Sequence, residues 1–320
     1  MAIPSALDKN LKFPVIVAPM FLVSGPELVL AACKSGVIGS LPALNHRTTE
    51  GYSDWLDTIK AGLGPNDAPY AVNLIVHKTN PRLAADLEVT IRHRVPLVIT
   101  SLGAVRDVVD RIHGYGGLVF HDVINLDHAR KAAAAGVDGL ILVTAGAGGH
   151  AGDKNPFALL NEVRAFFDGA IILSGCLSTG TDVAAATMMQ ADFAYIGTRF
   201  INTKESLAPT EYKQMIIDSH AADITYTPAI SGIPANFLNA SLISCGFDPG
   251  NLPGSTTVSV EKELGELGAQ PWKQVWSAGQ GVGAIKDVLP MAELIARMKS
   301  EFDAAASHFV ARFSCASQRE

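Results

Sequence analysis

The sequence predicts an α/β protein built as a (β/α)8 TIM barrel, with a smaller inserted region toward its C-terminus. Three observations carry this expectation. Eight short apolar runs lack the polar alternation of a half-exposed strand, which suits strands buried on both faces of a parallel sheet. Each run is followed by a helix-like segment, and strict alternation implies parallel strands, because every crossover needs a helix to return the chain. At 320 residues the chain has room for a barrel of about 250 residues and an addition.

The elements follow in order. The run 13–20, FPVIVAPM, reads as the first strand, and the segment 24–35 as its helix, with Ser24 as N-cap, a proline in the first turn and Gly36 as the stop. VIGSLPA from Val37 and a helix over 48–63 form the second unit. YAVNLIV from Tyr70 with a helix from near Pro81, and LVITSLG from Leu97 with a helix over 104–113, form the third and fourth. LVFHDVI from Leu118 precedes a helix over 126–135 closed by Gly136. GLILVTA from Gly139 opens into the glycine-rich loop AGAGGHAG before a helix over 156–167. AIILSGC from Ala170 with a helix over 181–190, and FAYIGTRF from Phe193 with a helix over 207–219, complete the eight.

The alternation then stops. Residues 221–273 are rich in Pro, Gly, Asn and Ser and read as an irregular insertion with one or two short helices, suited to a lid or pocket edge. The expected organisation is therefore a barrel over 1–220, an inserted region over 221–273, and a segment over 274–320 that returns to the barrel through VWSAGQGVG and a last helix over 291–305, before a frayed tail.

Composition narrows the function. Hydrophobic residues make up 48% and charged residues 18%, so the chain buries a large core. A net charge of -6 and no basic cluster argue against nucleic acid or an anionic membrane as partner. Cys33, Cys176, Cys245 and Cys315 show no CxxC spacing, so neither a zinc site nor a disulfide framework is expected. The N-terminus is a poor signal peptide, and no window holds the roughly 18 apolar residues of a membrane span. A soluble, cytoplasmic enzyme is the expectation.

In such a barrel, ligands sit at the C-terminal ends of the strands. That rule selects Ala18, Pro19 and Met20, Asn73, Ser101, His121 and Asp122, the loop from Gly146 to His150, Ser174, Gly175 and Cys176, and Gly197 and Thr198. SGC and IGT end the last two strands, where backbone N–H groups and a helix N-terminus often hold phosphate. The nine histidines lack HExxH or HxxxH spacing and no GxSxG elbow occurs, so neither a metal centre nor acyl transfer is indicated. A phosphate grip, a loop stripped of side chains at Gly148 and Gly149, and one histidine beside it point to flavin mononucleotide (FMN), with His150 above the reactive face.

Here the chain resembles the nitronate monooxygenase family, formerly 2-nitropropane dioxygenases, related to flavin-dependent enoyl-ACP reductases and NADH:quinone reductases. The matching pieces are APM at 18–20, VNL at 72–74, AGGH at 147–150, SGC at 174–176, IGTRF at 196–200 and WSAGQGVG at 276–283, in an order that spans nearly the whole chain. The resemblance implies an FMN barrel in which Ala18, Pro19, Met20, Asn73, Gly148, Gly149, Ser174, Gly175, Cys176, Gly197 and Thr198 contact the cofactor and Gln280 approaches it from the C-terminal segment. His150 would be catalytic. Two positions depart from the pattern: Cys176 stands where many relatives have glycine, and Asp122, a further candidate at the cofactor, stands where some have lysine.

The expected activity is oxidation of alkyl nitronates or nitroalkanes by O2 to carbonyl compounds and nitrite, with His150 removing an α-proton or pairing with the nitronate anion. Histidine suits both tasks because its charge changes near neutral pH. The alternative is a reductase in which NAD(P)H supplies electrons to a quinone or an enoyl thioester.

Overall fold

A computed structural model describes residues 3–8, 10–77, 79–103, 106–252 and 274–314. Its main sheet contains eight parallel strands: β1 (Val15–Val17), β2 (Gly39–Pro42), β3 (Tyr70–Ile75), β4 (Leu97–Ser101), β5 (Leu118–Val123), β6 (Gly139–Val143), β8 (Ala170–Ser174) and β9 (Phe193–Ile196). A two-residue strand, β7 (Gly149–His150), belongs to a different sheet. The eight run β1-β9-β8-β6-β5-β4-β3-β2 around the barrel, and a parallel bridge between Ile16 and Ile38 brings the ends together. Val17 N–H donates to Ile38 O at 2.8 Å and Ile38 N–H to Val15 O at 3.1 Å.

Strand periodicity explains why the sequence showed no polar alternation. In β4, Leu97 and Ile99 point into the barrel while Val98 meets the helical shell; in β6, Ile141 points in and Leu140 and Leu142 out. Both faces are dry, so both need apolar residues. The barrel floor is closed by α1 (Ser5–Asp8), whose Leu7 is buried in the interior cluster.

The helices obey their end signals, with one exception. Thr48 caps α3 (Thr49–Gly62) by accepting from Gly51 N–H at 3.1 Å, and Asn125 caps α6 (Leu126–Ala135) by accepting from His128 N–H at 2.8 Å. Gly36 and Gly136 end their helices at φ 88° and 89°, where a side chain would be strained. The exception is α2 (Pro26–Ser35): its N-cap is Gly25, and Ser24, the expected cap, is buried with its hydroxyl accepting from Met20 N–H at 3.0 Å. Of the helix expected over 104–113, Arg106–His113 is present as α5, while residues 104 and 105 lie outside the described residues. The last helix, α12 (Met291–Ser314), runs beyond its expected end at 305 and packs on α2 and on α8 (Gly180–Met188). The expected tail beyond Ser314 lies outside the described residues, Cys315 included.

The region after 220 differs most from expectation. Rather than only loops and short helices, it forms strands β10 (Ile224–Thr227) and β11 (Ala235–Leu238), followed by α11 (Asn239–Ser244). β11 pairs with β10 on one side and with β7 on the other, so this small antiparallel sheet includes His150 itself. The strands were illegible because ITYT and ANFL are only four residues long, too short for period-2 alternation to register, and the seven residues PAISGIP lie between them. Residues 253–273 lie outside the described residues.

Arg199, of the IGTRF run, fastens the C-terminal segment to the barrel. Its guanidinium is 1% exposed and donates to Asp287 Oδ1 at 2.7 Å, while Arg297 of α12 donates to Asp287 Oδ2 at 2.6 Å. Removing the buried cation leaves a cavity and takes away one of the two arginines on Asp287, which keeps Arg297, so R199A should lower unfolding free energy by about 1–3 kcal/mol in urea titration.

Candidate functional site

A cavity of about 630 Å³ opens at the C-terminal ends of the barrel strands. Its volume falls within the roughly 300–1,000 Å³ typical of small-molecule sites. Most of the expected residues meet there: Ala18, Pro19, Met20, Asn73, Asp122, Gly148, Gly149, His150, Ser174, Gly197 and Thr198 all line its wall. Gly175 and Cys176 line a small adjoining recess shared with Ser174, Gly197 and Thr198. Gln280 lines neither: its side chain is exposed, its backbone N–H donates to Gly146 O at 2.9 Å, and its Oε1 packs where a side chain on Gly146 would have to go.

The glycines of the loop after β6 serve different ends. Gly149 has φ 72° and nothing within 4 Å of a would-be Cβ, so it presents bare backbone to open space. Gly148 is confined: a Cβ there would lie 2.9 Å from both Gly279 N and Thr198 Oγ1. Its role is therefore to let the C-terminal segment approach, a role the sequence expectation of a bare face over a ring had not assigned to it. Gly175, at φ 129°, would clash with Thr144 Oγ1 at 2.4 Å. Cys176 holds φ 58°, the left-handed region that favours glycine, which is why glycine is the expected residue in this turn. Burial and the charge of Asp182 both push its thiol upward from the ordinary cysteine value, so it is held as thiol.

Two helices begin near this recess: α9 (Thr198–Ile201) starts on its wall, whereas the first amides of α8 already have partners. Asp182 Oδ2 accepts from Ser178 and Thr179 N–H at 2.9 and 2.8 Å, Thr179 Oγ1 accepts from Asp182 N–H at 3.2 Å, and Glu301 of α12 accepts from Gly180 N–H at 2.8 Å. The first turn of α8 thus spends its amides on the protein's own carboxylates. An anion in the recess would meet the chain at 174–176 and 197–198 instead.

His150 is held from three directions. Its backbone pairs with Ala235 in β11. The preceding Gly149 N–H donates to Ser277 Oγ at 2.6 Å, and that hydroxyl donates onward to Asn236 O at 2.5 Å. Asn236 Nδ2 in turn donates to Ala147 O at 2.7 Å. Tyr212 donates its hydroxyl to Ser277 O and stacks on Trp276 with centroids 4.9 Å apart. Ser277, Asn236 and Tyr212 were missed in the sequence, since they fall, respectively, inside a motif read for its glycines, in the insertion and in a helix-like segment. The only available signal was the serine within WSAGQG.

Across the cavity, β3, β4 and β5 contribute a chain of polar groups. Asn73 Nδ2 donates to Ser101 Oγ at 2.7 Å, and Ser101 Oγ donates to Asp122 Oδ2 at 2.6 Å. Burial raises the Asp122 carboxyl to about 6, against the Ser101 hydrogen bond and the nearby His150, which both lower it. His121 points aside to Thr100 Oγ1 at 2.7 Å; burial, aided by the charge of His128, lowers it to about 4, so it is neutral at physiological pH. Among the described residues no group of His, Cys, Asp and Glu is arranged to hold a metal ion, and no helix is long and apolar enough to cross a membrane.

Two stability measurements check this geometry. S277A leaves the Gly149 amide and the Asn236 carbonyl without their buried partner, and should cost about 1–3 kcal/mol in thermal or urea unfolding. Asp122 binds its proton more tightly folded than unfolded, so its favourable contribution is complete below pH about 4 and is lost as pH rises through about 6. D122N should therefore stabilise the ligand-free protein at pH 7.5 by roughly 1–3 kcal/mol and leave stability near pH 4 unchanged.

Known proteins resemble this chain over most of its length. Residues 5–301 match the sequence model of the family described as nitronate monooxygenase. A nitronate monooxygenase of Paraburkholderia phytofirmans is 26% identical over 340 residues, covering 90% of this chain and 92% of the relative. A hydroxy-methyl-oxo-octahydro-indene-carboxyl-CoA dehydrogenase of Rhodococcus jostii is 27% identical, covering 77% of this chain and 68% of its own length. Among solved structures, nitroalkane oxidase from Streptomyces ansochromogenes superposes with a TM-score of 0.79 at 26% identity, over 95% of this chain and all of that one. FabK from Thermotoga maritima shares the fold, with a TM-score of 0.77 at 22% identity, over 96% of this chain and 97% of that one. With a match that runs from the barrel floor into the C-terminal helix, this chain belongs to the nitronate monooxygenase family and is an oxidoreductase.

Proposed function

We propose that this protein is an FMN-dependent oxidoreductase that oxidises alkyl nitronates, and nitroalkanes by way of their nitronates, with O2 to carbonyl compounds and nitrite. The observation that carries this reading is the placement of His150 on the wall of the barrel-end cavity, clamped at Gly149 and β11, in a chain of this family. The Paraburkholderia and Streptomyces relatives, named for nitronate and nitroalkane chemistry, support the substrate class.

The residues present fit FMN. Gly149 offers bare backbone beside open space, Asn73 and Ser174 supply polar side chains on the cavity wall, and the recess at Gly175, Cys176, Gly197 and Thr198 suits the phosphate. Asp122 Oδ1 is buried without a hydrogen-bond partner, as expected of an atom facing a polar ligand. Bound FMN supplies the electron-transfer and O2 chemistry that no side chain provides.

The chain's own residues handle binding and the proton. As a neutral imidazole, His150 accepts the α-proton of a nitroalkane, the electron pair staying on the substrate as the nitronate. As imidazolium it pairs with that anion. Apolar residues lining the cavity, among them Phe21, Ile124, Ile233 and Pro234, keep the substrate's carbon chain out of water. H150N should retain FMN while nitrite release from nitroethane falls by roughly 10²–10⁴-fold, the usual worth of a general base. Unchanged nitrite release would remove His150 from the mechanism, and a protein showing no flavin spectrum after addition of FMN would remove the cofactor. Rapid anaerobic reduction by NADPH or NADH, with no nitronate consumed in air, would turn the reading to the reductase alternative.

A further inference from the structure

The loop that leaves β1 puts Met20, Phe21 and Val23 on the cavity wall and turns Leu22 out to solvent, 38% exposed. That alternation needs a sharp bend. Leu22 makes it at φ 60°, in the left-handed region where a leucine is strained. Arg94 and Gln190 also have positive φ, but each directly follows the end of a helix, where this conformation commonly closes the last turn. Leu22 follows a strand and is held by a side chain instead.

That side chain is Asn45, in the 3-10 turn Ala43–Asn45 after β2. Its Oδ1 accepts from Leu22 N–H at 2.9 Å, and its Nδ2 donates to Met20 O at 3.0 Å and to Ser24 O at 2.7 Å. A backbone N–H only donates and a carbonyl only accepts, so these three partners also fix which way round the carboxamide lies. One side chain thus ties the start, the middle and the end of a five-residue loop. On the far side, Leu207 N–H donates to Val23 O at 2.9 Å, and Val23 packs in one cluster with Ile201 and Tyr212, which line the same cavity. Asn45 does not line the cavity, so it reaches a ligand only through the loop.

We propose that Asn45 is a positioning residue that sets the chain-length preference of this site, by holding Leu22 in its left-handed conformation and so keeping Phe21 and Val23 against the substrate's carbon chain. The inference rests on the nitroalkane reading above for its substrate. A wall already in place adds binding for each methylene it covers, whereas a loose one must be ordered at every binding event, which offsets that gain. Contact with an unreacting chain is the same before and during the reaction, so losing it raises KM and leaves kcat alone.

The test is a series of 1-nitroalkanes from nitroethane to 1-nitrohexane, at saturating FMN. In the wild type kcat/KM should rise about tenfold or more between nitroethane and 1-nitrobutane. N45A should shrink that rise to about threefold or less, through KM, and speed amide exchange at Leu22 about tenfold or more. L22G should keep the wild-type profile, because glycine adopts positive φ freely, and N45A/L22G should recover it to within about twofold. Asn45 acting only on stability would lower kcat/KM by the same factor at every length and would not be rescued by L22G. That result, or a wild-type profile flat in chain length, overturns the proposal. Should N45A fail to fold, N45D takes its place, since it keeps an acceptor for Leu22 but loses both donors. Binding of unreactive alkanoates from propionate to hexanoate, followed by the flavin spectrum, separates the two readings. Length discrimination lost in N45A, in a protein that oxidises no nitroalkane, would uphold the role of Asn45 and refute the proposed substrate; nitroalkane turnover with an unaltered length profile would do the reverse.

Discussion

Barrel closure is the constraint from which the rest of this structure follows. Eight parallel strands leave no edge only if the first and second meet, which here falls to the short bridge between Ile16 and Ile38 and the two backbone hydrogen bonds beside it. Closure packs the interior with Ile16, Ile38, Ile99, Phe120, Ile141, Ile172 and Phe193, and so leaves no room for a ligand at mid-barrel. The cavity is displaced to the C-terminal rim, where strands have ended and side chains from β3, β4, β5 and β9 converge.

A rim made only of loops would hold a reactive side chain loosely. This chain answers with a second, smaller sheet that captures the loop after β6 as the strand β7 and places His150 in register with Ala235. The Ser277 hydroxyl then joins that loop to the insertion and to the C-terminal segment in one buried node. Arg199 and Asp287 secure the same segment lower down, so the geometry at His150 depends on contacts from residues more than a hundred positions away in sequence.

How much of this was legible in the sequence varied with the range of the interaction. Strand ends and the glycine stops at 36 and 136 depend on neighbours a few residues away, and they appear where the pattern put them. The rim residues were legible as well, because strand ends in a barrel point to one place. Ser24 was misread as a helix cap because a turn at Met20 competes for its hydroxyl. β10 and β11 escaped notice because their pairing is stabilised by β7, which no local pattern announces.

By itself the sequence determined the barrel, its strand order of elements and the family motifs, since apolar runs buried on both faces and their return helices are encoded in hydrophobicity and spacing. Tertiary structure alone decided which groups touch. The directed chain from Asn73 through Ser101 to Asp122 joins three strands, and the clamp on His150 joins residues 149, 236 and 277. Such contacts are set by register and closure, and hydrogen bonds between distant residues leave no period in a sequence for a reader to find.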